Sequence, residues 1–150
     1  MHKKLRVSVL AICFFVGVTT VAFGGIEPSP WKPLRQDLRL FQQELTPAQA
    51  KLADAKPGAD LTRLGLLKSH ANMMGLLQAL RTKIKGLEET KGQAKGVLDT
   101  CNKMKPKLDN LGFSLKNFKL AIQQADKPTA QGLLNQIGEQ VKELEALIAK

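Results

Sequence analysis

Four stretches of this chain carry apolar residues three and four positions apart, and that spacing constrains the fold more than any other feature. The first stretch places Leu34, Leu38, Phe41, Leu45, Ala48 and Leu52 at this interval, and the second Leu66, His70, Met73, Leu77, Leu80, Ile84 and Leu87. The third places Val97, Cys101, Met104, Leu108, Leu111, Leu115, Phe118 and Ile122, and the fourth Leu134, Ile137, Val141, Leu144 and Ile148. Steps of three and four lay each set along one helix face, whereas a strand needs strict alternation, which is absent.

The residues between the stripes are helix stops and starts. "KPGAD" (56–60) ends the first helix and offers Asp60 as N-cap of the second, and "TKGQ" around Gly92 makes a tight reversal. "ADKPT" (125–129) offers Asp126 as a cap, with Pro128 in the first turn that follows. Short connections between long helices predict an all-α, up-down-up-down antiparallel four-helix bundle. Two prolines fall inside the pattern. Thr46-Pro47-Ala48-Gln49 reads as a capping box at which the first helix kinks or restarts, and Pro106 is expected to kink or break the third, giving a count of four or five.

The chain opens on a short cationic segment, Met1-His2-Lys3-Lys4-Leu5-Arg6, followed by the apolar run "VSVLAICFFVGVTTVAF". Ala22 and Gly24 supply small residues ahead of a cut before Gly25, so 1–24 reads as a signal peptide and 25–150 as one helical domain. A retained anchor would need about 20 strongly apolar residues, and Gly17, Thr19 and Thr20 interrupt this run. The expected location is periplasmic or secreted, with no integral membrane association after cleavage. Without the signal Cys101 is the sole cysteine, so the fold must rest on its apolar core rather than on a disulfide.

Export also limits the partners. Twenty Lys and Arg remain after Lys3, Lys4 and Arg6 are removed, against thirteen Asp and Glu, giving +7. Most of the excess falls in 81–119, which reads either as a solvated lysine-rich surface or as a face that attracts an anionic partner. Nucleic acid is not expected, because the protein is exported and the chain offers one Trp and no Tyr for base stacking. An unidentified protein or small ligand is the expected partner.

"FKLAIQQADKPTAQGLLNQI" (118–137) resembles the end of helix three, polar turn and start of helix four in the soluble cytochrome b562 family, and the inferred architecture resembles that family over most of the domain. The resemblance implies an exported bundle that holds haem non-covalently, through a methionine near the start of helix one and a histidine near the end of helix four. This chain departs at both places: Trp31, Leu34 and Leu38 stand at the first, and Glu143-Leu144-Glu145-Ala146-Leu147-Ile148 at the second. Covalent c-type haem is excluded by the lack of a Cys-x-x-Cys-His motif. Leu45-Thr46-Pro47-Ala48-Gln49 is in turn similar to the Leu-Thr-x-x-Gln motif of small exported stress chaperones such as Spy and CpxP; the second candidate, Leu61-Thr62-Arg63-Leu64-Gly65, lacks the glutamine.

The residues with ligand chemistry are His70, Met73 and Met74 on the second helix and Cys101 and Met104 on the third. Imidazole, thioether and thiolate together suit Cu(I) or haem iron, so His70, Met73 and Met74 are the candidates for cofactor binding, and His70, Met73, Cys101 and Met104 for a metal. Methionine, unpaired cysteine and a hydrogen-bonded histidine are equally ordinary core residues. Counting from the reversal near Lys91, the two pairs lie at different heights, mismatched by roughly 12 Å of helix rise. No nucleophile is paired with a base, and no phosphate loop or His-Glu-x-x-His spacing occurs, so no enzymatic role is expected. The expectation is a non-enzymatic exported bundle that carries a ligand or binds a partner, the alternative being a chaperone that binds unfolded proteins through a basic helical surface.

Overall fold

A computed structural model describes residues 29–149. The expected signal peptide, 1–24, and its expected cleavage site lie outside the described residues.

Four helices form: α1 (Lys32–Asp54), α2 (Leu66–Glu89), α3 (Lys95–Gln123) and α4 (Lys127–Ile148). The stripes are what they bury. Of the residues in the four sets, all but His70, Leu87 and Val97 are buried, and together they make one continuous core. Consecutive helices pack on one another, and α1 closes the ring against α4. Cross-links pair the earlier part of one helix with the later part of its neighbour, which fixes antiparallel order: Asp37 with Lys83 at 2.6 Å, Glu88 with Lys105 and Lys107 with Glu143 at 2.5 Å, and Gln42 with Glu145 at 3.4 Å. The four-helix bundle is therefore the fold, and no strand occurs among the described residues.

The cap of the second helix, the restart at Pro47 and the break at Pro106 need correction. Asp60 caps a short 3₁₀ turn, Leu61–Leu64, by accepting the Thr62 N–H at 3.0 Å; α2 itself starts after Gly65, whose φ of 72° only glycine takes freely. Pro47 does not restart α1. Thr46 donates its hydroxyl back to the Gln42 carbonyl at 3.0 Å instead of capping, and Gln49 crosses to α4, donating to the Leu134 carbonyl and Asn135 Oδ1 at 3.4 Å. Pro106 likewise leaves α3 a single helix of 29 residues. Both prolines are exposed, so the carbonyl that each deprives of a donor faces water, and the buried side of each helix keeps its ladder.

The last turn forms as its sequence requires. Asp126 accepts from the Thr129 N–H at 3.0 Å and hydroxyl at 2.7 Å, and these bonds hold its carboxyl below the usual range. Just before it, the Asp126 and Ala125 N–H groups return to the Ala121 and Ile122 carbonyls, closing α3 with Ala125 at a φ of 54°.

Candidate functional site

α2 and α3 lie side by side along a seam that is closed inside and open outside. His70, Met74, Leu77 and Arg81 are spaced four, three and four apart on α2, so they line the α3 side of that helix in one row. Facing them across a groove of about 490 Å³ are Asp109, Gly112, Phe113, Lys116 and Lys119 of α3. Leu77 is buried and forms the floor. Met74 is 38% exposed and Phe113 66%, the largest exposure of any large apolar side chain among the described residues.

Gly112 keeps the floor open. A Cβ there would come within 3.2 Å of both Leu77 Cδ2 and Arg81 Nη2, so any larger residue would intrude on the groove and its neighbours. Arg81 closes one end, donating to Asp109 at 2.9 Å and to the Leu108 carbonyl at 3.4 Å. Beyond that bridge a second groove of about 450 Å³ runs on past Lys85, Glu88 and Lys105.

His70 sits at the other end, half-buried. Its Nε2 is out of reach of water and has no hydrogen-bond partner. Burial is the main force holding its pKa below the ordinary 6.5; the Lys119 charge adds to it, and the Leu115 carbonyl opposes it. Its surroundings thus favour the neutral imidazole, and one ring nitrogen has no partner.

The other candidate ligands sit elsewhere. Met73, Cys101 and Met104 are fully buried in the core. The Leu115 carbonyl marks the height of His70 on α3, and Met104 and Cys101 precede it by 11 and 14 residues, about 16 and 21 Å of helix rise. The structure brings His70 and Met74 together in the groove and does not bring His70 to Cys101 or Met104. Burial pushes the Cys101 thiol up, as does the Glu88 carboxylate, against the pull of Lys105. Among the described residues no three His, Cys, Asp or Glu side chains converge.

The places that hold haem in cytochrome b562 do not fit it here. Trp31, Leu34 and Leu38 at the start of α1, and Leu144 and Ile148 at the end of α4, are buried packing residues without an axial donor.

Phe113, Lys116 and Lys119 were not singled out as site residues by the sequence reading. The signal was present: Phe113 and Leu120 lie off the buried stripe of α3, seven apart, and Leu120 is 46% exposed. Of the ten bases in 81–119, Arg81, Lys83, Lys85, Lys105 and Lys107 have carboxylate partners, while Lys91, Lys95, Lys103, Lys116 and Lys119 have none among the described residues. No helix of the described residues is long and apolar enough to cross a membrane. No protein-family model, characterised protein or solved structure matches the chain.

Proposed function

We propose that this chain is a non-enzymatic exported binding protein, a four-helix bundle of cytochrome b562-like type without that family's haem ligation, which takes a ligand or partner on the outside of the α2–α3 seam. The carrying observation is the exposed Phe113 ring beside a basic groove in which Met74 is also exposed. Exposed apolar side chains gathered in one groove, unlike those scattered singly, favour an interface. The core supports the same reading, because its stripes are filled by side chains and the open space lies on the surface. The groove's polar groups are one imidazole, lysines and an arginine bridged to Asp109, which recognise charge but do not form a nucleophile and base.

A second reading, a stress chaperone of the Spy and CpxP kind, draws support from the outer face of α3. There Phe113 and Leu120 stand exposed beside Lys116 and Lys119, a basic apolar surface to which an unfolded chain can adhere. Haem or copper would be sought at His70 and Met74, the two candidate donors that share the groove.

Native mass spectrometry of the mature protein offered haem and Cu(I), together with light scattering of an aggregating unfolded client, separates these readings. A retained haem or copper mass that disappears in His70→Ala makes the protein a carrier of that group. Suppression of aggregation that disappears in Phe113→Ser makes it a chaperone. A Phe113→Ser variant identical to the parent in every binding assay contradicts the seam as the binding surface.

A further inference from the structure

The two ends of the α2–α3 seam differ in charge as well as in shape. Residues 66–80 and 110–125 contain Lys68, Lys116 and Lys119 and not one Asp or Glu. The acids at the edge of this region, Asp60 and Asp126, are engaged in capping Thr62 and Thr129. At the far end of the groove the Arg81 charge is met by Asp109. Lys116 and Lys119 therefore line the groove without a carboxylate partner among the described residues, since its one acid, Asp109, is paired with Arg81.

We propose that the groove between His70 and Arg81 binds a monomeric anionic amphiphile, a single acyl chain ending in a carboxylate. The carboxylate is taken by Lys116 and Lys119, and the chain lies over Met74, Leu77 and Phe113, along the floor that Gly112 leaves open. This rests on the reading of the chain as a binding protein and names its ligand class.

Charge and size select this occupant. A second copy of the same face would bring lysines against lysines, and the leader segment carries Lys3, Lys4 and Arg6, so both are repelled. An acidic helix, about 10 Å across, would need a broader apolar bed than Met74, Leu77 and Phe113 provide. One acyl chain needs less. The row from His70 to Arg81 spans about 16 Å of helix, and the groove volume of about 490 Å³ is in the range of small-ligand sites.

The test is isothermal titration calorimetry of the mature protein with laurate, octyl glucoside and decyltrimethylammonium, each below its micellar concentration. Saturable one-site binding of laurate is expected, with the neutral and cationic amphiphiles weaker by about tenfold or more, a difference of about 1.4 kcal/mol. The double variant Lys116→Gln/Lys119→Gln and the single variant Phe113→Ser should each weaken laurate by a similar factor while keeping the parent's helical circular dichroism. Equal affinity for all three amphiphiles, no saturable laurate binding, or variants that bind laurate as the parent does would overturn the proposal. So would attachment to anionic vesicles without binding of monomeric laurate. An acidic peptide or unfolded client that binds in a Phe113-dependent way where laurate does not would overturn the amphiphile and leave the binding-protein reading standing; failure of every ligand would remove both.

Discussion

On either side of the Arg81–Asp109 bridge, the same two helices solve the same packing problem in different ways. On the Lys85 side the seam is edged by ion pairs, Lys85 with Glu89 and Lys105 with Glu88, and its outward residues are charged. On the His70 side the edge has lysines without acids, two exposed apolar side chains and a glycine where the helices approach. The inner layers do not differ: Leu77, Leu80 and Ile84 of α2 are all buried, as are Leu108, Leu111 and Leu115 of α3. What the contrast teaches is that the core holds both halves together, so the outer surface of the His70 half is free to serve a ligand.

The contrast is broken most severely by touching the layer the halves share. Leu77→Ala should cost about 3 kcal/mol, because it removes a fully buried side chain and leaves a cavity under the groove. Phe113→Ser, in contrast, should change stability by less than about 0.5 kcal/mol in urea denaturation, since that ring is 66% exposed. If Phe113→Ser costs as much as Leu77→Ala, the groove is structural and the division between core and surface collapses.

Gly112→Ala sharpens the comparison at the point of closest approach. The helix gains about 1 kcal/mol in propensity, offset by the displacement of Leu77 and Arg81 from 3.2 Å, so stability should move little while laurate affinity falls. On the ion-paired side, a double-mutant cycle of Glu88→Gln with Lys105→Gln should return a coupling of about 0.5 kcal/mol, since Lys105 is half exposed. It should shrink toward zero in about 1 M salt. A coupling several times larger would mean that the ion pairs, and not the core, hold that half together.

The smallest effect is expected from His70. Its folded pKa lies below the ordinary 6.5, so between the two values the unfolded chain binds a proton that the folded chain refuses. The contribution is fully present above 6.5 and is lost as pH falls through the folded pKa. A His70→Gln variant should lose that portion of the pH dependence in chemical denaturation between neutral pH and the start of carboxylate titration. Bound laurate should raise the His70 pKa in an NMR titration; an unchanged value would place the carboxylate away from it.

The sequence made the fold readable because burial decided it. Leu38, Phe41, Leu80, Phe118 and Val141 announce their faces by spacing alone, and they are all fully buried. Local hydrogen bonding was less legible. Thr46 and Asp60 each sit in a convincing capping context, yet one bonds backward to Gln42 and the other caps a 3₁₀ turn, since several carbonyls and N–H groups compete for one short side chain. The groove was hardest to see. His70 occupies a stripe position and drew attention as a ligand, but the residues that shape its surroundings, Gly112, Phe113, Lys116 and Lys119, come from another helix and obey no motif. Only the off-stripe positions of Phe113 and Leu120 hinted at them.

The central claim is that the acid-free half of the seam is the binding surface and the ion-paired half is not. Heteronuclear NMR of residues 25–150 titrated with laurate tests this most directly. Saturable amide shifts are expected only in the neighbourhood of His70, Met74, Gly112, Phe113, Lys116 and Lys119, with Lys85, Glu88 and Lys105 unmoved. Shifts centred on the ion-paired half, spread evenly over all four helices, or absent altogether would contradict it.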